Sequence, residues 1–174
     1  GARRASTDRA ARISLMRANN GRGVVQPIAE MGAIRKEAGG LFHTEGVRSV
    51  GKIPFNGNDL KVDMASISAH KMYGPKGVGA LYVNRRARFH PMLLGGSHEN
   101  DRRAGTENVA SIVALGKAAE IALAEIGSEH AREGAWGERT GKTLPERSAA
   151  ARVEGGAAPR VARAVGWRAR RRHA

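Results

Sequence analysis

A lysine beside a serine and a histidine is the group in this sequence best suited to chemistry. Ser68, His70 and Lys71 lie in the segment SISAHKMYGPKGVGALYV, at the predicted end of a buried strand and directly before several glycines. Ligands in open α/β sheets bind beyond the carboxyl ends of strands, and a lysine there can lose its charge and act as a nucleophile. Because Ser68 and His70 can donate hydrogen bonds to a phosphate, the group suits a Schiff base with a phosphorylated aldehyde cofactor. Lys71 taken alone is better explained as a solvated lysine after a strand.

The hydrophobic pattern around these residues predicts a sheet with helical crossovers. Four short apolar runs predict buried strands at 13–18, 41–44, 62–67 and 79–83. A glycine-rich hairpin is predicted to join the last two. Helices are predicted from Pro27 to Ala38, where Gly39 and Gly40 follow, and from about Val109 to Ile126. Strand, helix and strand in this order predict an α/β fold.

Composition divides the chain into three predicted parts. Residues 1–12 are small and basic and predict a loose arm, and residues 13–127 predict the folded, ligand-binding domain. Residues 128–174 have little apolar periodicity, and 160–174 contain six Arg and no acidic residue. That composition predicts a poorly ordered basic tail. The functional alternative is an electrostatic arm for RNA, DNA or membrane.

The totals of the 174-residue chain exclude several kinds of site. It has no cysteine, which excludes disulfides, thiolate metal sites and a thiol nucleophile on this chain. His43 and His98 are too far apart in sequence, without suitable carboxylates, to predict a metal site. We expect His43 to pack near a bound cofactor and His98 to lie on a loop. A net charge of +14, without interleaved aromatics, predicts non-specific binding of nucleic acid. No apolar run is long enough to span a membrane, so we expect a soluble, cytoplasmic protein.

The segment containing Lys71 resembles the active-site lysine segment of the class V aminotransferase family, and most closely that of the NifS/IscS-type cysteine desulfurases. Three further segments resemble the family in the same order along the chain: ANNGRGVVQPI, LFHTEGVRSVGKIP and GGSHENDRRAGTEN. The resemblance covers roughly residues 14–126. It implies part of the large domain of a pyridoxal-phosphate-dependent transferase of fold type I, with a mainly parallel sheet and helix crossovers.

The resemblance also implies a role for each matching residue. Lys71 would carry pyridoxal 5'-phosphate, with Ser68 and His70 as contacts on its phosphate side. The remaining implied contacts are Glu45 with the pyridine nitrogen, Arg48 with the phenolic oxygen, Asn20 with the cofactor and Thr106 with the phosphate in the partner subunit of a homodimer. The implied reaction converts L-cysteine to alanine and enzyme-bound sulfur for iron–sulfur cluster assembly, with sulfur-acceptor scaffold proteins as partners.

The sequence departs from the family pattern at several points. The family has Asp, Gln and Glu where this chain has Glu45, Arg48 and Gly21. Arg48 either donates to the ring oxygen or competes with the ring for Glu45. The family's Gly-Thr phosphate loop, ring-stacking histidine, mobile-loop cysteine and substrate-binding arginine have no recognisable match, so we expect a fragment that is inactive alone. The alternatives are a selenocysteine lyase or other class V relative, and an inactive remnant or basic nucleic-acid-binding protein.

Overall fold

The computed structural model describes residues 11–148, together with the backbone of residues 151–153 and 165–167. The strands are β1 (Arg12–Met16), β2 (Ala18–Asn19), β3 (Val24–Val25), β4 (Leu41–Glu45), β5 (Met64–Ser68), β6 (Gly79–Val83), β7 (Ala151–Val153) and β8 (Val165–Trp167). The helices are α1 (Ile28–Glu37) and α2 (Val109–Arg147), and a short 3-10 helix spans Ala69–Met72.

Four strands form the main sheet, in the order β1, β4, β5 and β6. The first three are parallel, and β6 returns antiparallel to β5 through the predicted hairpin. Two smaller antiparallel pairs, β2 with β3 and β7 with β8, lie outside this sheet. A mainly parallel sheet with a helical connection between β1 and β4 confirms the predicted α/β class.

The hydrophobic core lies between α1 and one face of the sheet. Ile28, Phe42 and Val62 are each at most 2% exposed and form its centre. Helix α1 begins just after Pro27 and ends before Gly39, whose φ of +74° is the left-handed conformation expected at a helix end. Because successive strand residues point to opposite faces, burial of Phe42 directs the side chain of His43 to the other face.

Three predicted strands have different bounds in the structure: β4 extends one residue further, to Glu45, and hydrogen bonding explains the bounds of β1 and β5. β1 ends at Met16 and not at Ala18, because Ala18 pairs antiparallel with Val25 in the separate β2–β3 hairpin. β5 begins at Met64 and not at Val62, because the Val62 N–H donates to Gly57 O in the preceding turn. It continues to Ser68, one residue further than predicted.

Helix α2 is much longer than predicted, since it continues past Ile126 to Arg147. Gly127 does not end it, and the Arg132–Glu129 pair, at 2.6 Å, supports the extension. The structure leaves two apolar residues of α2 largely exposed, Val113 at 66% and Leu123 at 74%. Ala118 and Ala122 of α2 lie instead against Gly74 and Gly51, since a Cβ on these glycines would be 3.2 Å and 3.3 Å from the respective alanine Cβ.

The predicted division into arm, domain and tail stays a prediction. Residues 1–10, 149–150, 154–164 and 168–174 lie outside the described residues. These include most of the predicted arm and much of the predicted tail. In the part of the chain that is described, no helix is both long and apolar enough to cross a membrane.

Candidate functional site

Three parallel strands end at one edge of the sheet, and most of the predicted site residues follow them. The register pairs Met16 of β1 with Glu45 of β4, and Glu45 with Ser66 of β5. Asn20 comes shortly after β1, Glu45 is the last residue of β4 and Ser68 is the last residue of β5. The pairing of the strands therefore brings three separate sequence segments to a common edge, where open α/β sheets bind ligands. We call the predicted site residues that follow these strand ends the strand-end site.

Lys71 lies in a short turn directly beyond β5, within residues 69–74, which we call the lysine turn. The Ser68 hydroxyl and His70 Nδ1 share a hydrogen bond of 2.7 Å at its start. Lys71 is half-buried, and within residues 11–148 its amine has no hydrogen bond or ion pair. The Gly74 N–H closes the turn on Ala69 O at 2.9 Å. The amine is thus held on a defined backbone without a partner that would compete for it.

The Glu45 carboxylate is oriented by its own backbone turn. Its Oε1 accepts a hydrogen bond of 2.6 Å from the Val47 N–H, and the residue is half-buried. One carboxylate oxygen is therefore occupied, while the other is open to a further donor. Arg48 is half-buried nearby in sequence, and no ion pair joins it to Glu45 among the described residues. The structure therefore shows no ion pair through which Arg48 would compete with a cofactor ring for Glu45.

His43 connects all three parallel strands on the sheet face that lies opposite α1. Its Nδ1 is 2.7 Å from Ser14 Oγ of β1, and its Nε2 is 2.8 Å from Ser66 Oγ of β5. Burial lowers the pKa of His43, as does the positive charge of Arg12, while Glu45 acts in the opposite direction. The imidazole is therefore neutral near pH 7 and bonded at both nitrogens. Because strand residues alternate between faces, Ser66 and Ser68 lie on the same face of β5. This spacing of serines was the sequence signal for polar side chains on the face that carries His43.

The loop before α2 is not joined to the lysine turn by any hydrogen bond within the described residues. Thr106 is exposed in that loop, and no hydrogen bond among the described residues joins it to Lys71. His98 lies 4.0 Å from Glu107 in the same loop. Across the described ranges, no three histidine or acidic side chains lie close enough together to hold a metal ion.

A cavity of about 620 Å³ opens behind the lysine turn, between this turn, Gly51 and helix α2. Met72, Tyr73 and Ala118 are among its lining residues, but Lys71 is not. This cavity therefore lies next to the residues at the strand ends but is not lined by Lys71, Ser68 or Glu45. Lys52, at the rim, bonds Tyr73 and Glu133 of α2. Sequence analysis missed this connection, because its partners are 21 and 81 residues away from Lys52.

Comparison with known proteins gives a consistent result across sequence and structure. Residues 2–147 match the sequence family described as Aminotransferase class-V. The chain is 55% identical over 117 residues to a cysteine desulfurase IscS of Dictyoglomus turgidum, covering 67% of this chain and 30% of that protein. It is 55% identical over 136 residues to the IscS of Anaeromyxobacter dehalogenans, covering 77% of this chain and 34% of that protein. The chain thus spans about a third of the length of these relatives.

Solved structures give the same result for the fold. A NifS-like protein from Rickettsia africae superposes with a TM-score of 0.80 at 34% identity, over 86% of this chain and 41% of the other. Another NifS-like protein superposes with a TM-score of 0.71 at 40% identity, over 76% of this chain and 36% of the other.

Proposed function

The chain belongs to the class V aminotransferase family, and from this we propose that its strand-end site binds pyridoxal 5'-phosphate through Lys71. The observation that carries the proposal is the amine of Lys71, which has no hydrogen-bond or ion-pair partner within residues 11–148 and lies beyond β5, beside the Ser68–His70 hydrogen bond. An unpartnered primary amine next to a hydroxyl and an imidazole suits a phosphorylated aldehyde in charge, donors and reactivity.

The residues at this edge fit the cofactor's chemical groups. Ser68 and His70 offer donors for the phosphate side, and the open oxygen of Glu45 offers an acceptor for a protonated ring nitrogen. Arg48, without an ion pair to Glu45, remains available to donate to the phenolic oxygen. Asn20 is exposed in the loop after β1, at the same edge. When bound, the cofactor supplies an electron sink for chemistry at an amino acid's α-carbon.

Lys71 and His70 are the proposed catalytic residues of this chain. Lys71 would hold the cofactor through its amine, and the same amine, once free, would serve as a base at the site beyond β5. His70 is exposed, and Ser68 holds its Nδ1 at 2.7 Å, so the other ring nitrogen faces away and can carry a proton. The short bond to Ser68 fixes the direction in which that proton is offered.

The proposed reaction is that of the named relatives, cysteine desulfurases, acting on L-cysteine to give alanine and bound sulfur. Sulfur removal needs a thiolate to attack the substrate sulfur, and this chain has no cysteine. We therefore propose that this stretch of chain is inactive alone and that the thiol is supplied from outside residues 1–174. A homodimer, delivery of sulfur to scaffold proteins for iron–sulfur assembly and a cytoplasmic location remain part of this proposal.

The test is capture of the cofactor by Lys71. The full chain is incubated with pyridoxal phosphate and reduced with borohydride, and the modified peptide is located by mass. We expect one equivalent of adduct on Lys71, which Lys71→Ala removes. The matched control is Lys76→Ala, because Lys76 is an exposed lysine five residues further along the same segment and should leave the labelling intact.

Scattered labelling of surface lysines, equal in Lys71→Ala and in the wild type, would contradict the proposal. That result would favour the alternative of an inactive remnant whose basic residues bind anions non-specifically. Labelling confined to Lys71, with selenocysteine preferred over cysteine in a complex that supplies the thiol, would instead favour a selenocysteine lyase.

A further inference from the structure

Tyr73 holds an unfavourable backbone conformation directly after the lysine turn's 3-10 helix. Its φ is +62° and its ψ is 15°, in the left-handed region that large side chains rarely adopt. The residue is 87% exposed, so burial of the ring does not stabilise this conformation. Strained residues of this kind persist only where surrounding contacts hold them in place. Tyr73 therefore needs a contact other than hydrophobic packing.

Lys52 provides that contact. Its ammonium group donates a hydrogen bond of 3.1 Å to Tyr73 Oη and another of 3.1 Å to Glu133 Oε1. The Lys52 and Glu133 side chains are only 20% and 24% exposed, which limits competition from water. Burial by itself would lower the pKa of Lys52, but the bonds to Tyr73 and Glu133 and the charge of Glu133 raise it above its ordinary value. Lys52 therefore stays charged and joined to both partners at neutral pH.

The inner side of the lysine turn is packed at contact distance. A Cβ on Gly51 would lie 2.7 Å from Met72 Cγ, and a Cβ on Gly74 would lie 3.2 Å from Ala118 Cβ of α2. Tyr73 itself faces the cavity of about 620 Å³ between these contacts. Packing thus fixes the turn at Met72 and Gly74 but leaves Tyr73, which lies between them, without apolar support. The polar connection through Lys52 is the contact that spans this gap.

We propose that Lys52 and Glu133 are positioning residues that act through Tyr73 to hold the lysine turn, and with it Lys71, against helix α2. The proposal rests on the proposed function of Lys71, since it assigns these residues to that same site. Glu133 lies in the part of α2 beyond Ile126, so the unpredicted extension of the helix supports the strand-end site.

The test measures the opening of the turn and the capture of cofactor in the same variants. Lys52→Met removes the ammonium but keeps most of the apolar stem, and Glu133→Gln keeps the shape of its side chain. Amide exchange at Gly74, whose N–H donates to Ala69 O, reports opening of the turn. From the usual worth of a charged hydrogen bond, we expect exchange at Gly74 to be roughly 5- to 10-fold faster in either variant. Labelling of Lys71 by pyridoxal phosphate should slow by a similar factor.

Two controls separate positioning from general stability. The Lys117–Glu120 pair lies on α2 at a similar distance, 3.0 Å against 3.1 Å, and makes no hydrogen bond to Tyr73 among the described residues, so Lys117→Met should leave exchange at Gly74 unchanged. The charge-reversed double variant, Lys52→Glu with Glu133→Lys, restores an ion pair, and its new carboxylate can accept from the Tyr73 hydroxyl. It should recover exchange at Gly74 and labelling of Lys71 to within about twofold of the wild type.

Each outcome has a distinct meaning. If Lys52→Met and Lys117→Met change exchange at Gly74 equally, or if the double variant does not recover it, the positioning role is wrong. If exchange behaves as expected but the wild type takes no label on Lys71, the positioning role stands as structure and the proposed cofactor function fails. Recovery of both quantities by charge reversal would support both proposals.

Discussion

The Gly51→Ala variant tests whether the lysine turn depends on close packing against the segment after β4. Gly51 has a φ of +79°, and a Cβ there would lie 2.7 Å from Met72 Cγ and 3.3 Å from Ala122 Cβ. The left-handed conformation should cost about 1–2 kcal/mol with alanine. Because Met72 is only 4% exposed and its Cγ is close to the backbone, relief of the overlap should cost about 1–3 kcal/mol more.

Gly39→Ala is the matched control for this prediction. Gly39 has a similar φ of +74°, but a Cβ there would have no heavy atom within 4 Å. The two variants therefore share the backbone cost and differ in the contact alone. Urea unfolding of the full chain should show Gly51→Ala less stable than Gly39→Ala by about 1–3 kcal/mol.

A second substitution locates the clash. Met72→Ala removes the Cγ and Sδ atoms nearest the new methyl group, so Gly51→Ala should cost about 1–3 kcal/mol less in that background. Gly51→Ala should also slow the labelling of Lys71, which is adjacent to Met72. Equal stability of Gly51→Ala and Gly39→Ala, with no coupling to Met72, would show that the turn accommodates the methyl group freely and would refute the packing argument.

Three further predictions concern the helices, the core and His43. In helix α2, Gly127→Ala adds a methyl group in open space and should stabilise the chain to urea by about 0.5–1 kcal/mol. In α1, Gly32→Ala would place a methyl group 2.7 Å from Leu60 O and Lys61 O, and it should destabilise the chain in the same urea assay. Phe42→Ala empties the centre of the core and should cost about 3–5 kcal/mol by thermal or urea unfolding. Because the pKa of His43 lies below its ordinary 6.5 in the folded chain, its contribution to stability is complete above pH 6.5 and is lost as the pH falls through the folded pKa. As the pH is lowered from 7.5 to 5.5, the urea concentration at the midpoint of unfolding should fall in the wild type and should change less in His43→Asn. An identical fall in both proteins would contradict the assignment of this pH dependence to His43.

Local patterns were enough to predict the fold class and the position of Lys71, because both depend on short stretches of sequence. Alternation and glycine placement located β4, β6 and the hairpin within a residue or two. They did not locate the end of β1, since Ala18 looks equally suitable for either strand and only its pairing with Val25 decides. Such pairing is a tertiary effect that propensity does not contain.

The length of α2 could not be predicted for a related reason. Several glycines interrupt the pattern after Ile126, and each lowers helix propensity by about 1 kcal/mol relative to alanine. One contact of this part of the helix is specific to the fold, namely the bond from Lys52 to Glu133, 81 residues apart. The same long-range contact is what sequence analysis missed at the site. A helix whose composition is unfavourable can still form where one of its turns is held by a distant residue.

The sheet edge and the lysine turn, which together make up the candidate site, are stabilised in different ways. They should therefore differ in their sensitivity to salt and to substitution. Glu45 and Ser68 end strands whose register is fixed by backbone hydrogen bonds and by the buried Phe42, so their positions should change little with salt or pH. Tyr73 depends on one ammonium group and its carboxylate partner, which salt screens and substitution removes. The sheet edge should therefore remain ordered under conditions in which the lysine turn opens. Loss of cofactor capture should accordingly precede loss of the fold, because the nucleophile lies on the turn, whereas Glu45 and Ser68 lie at the ends of strands in the sheet.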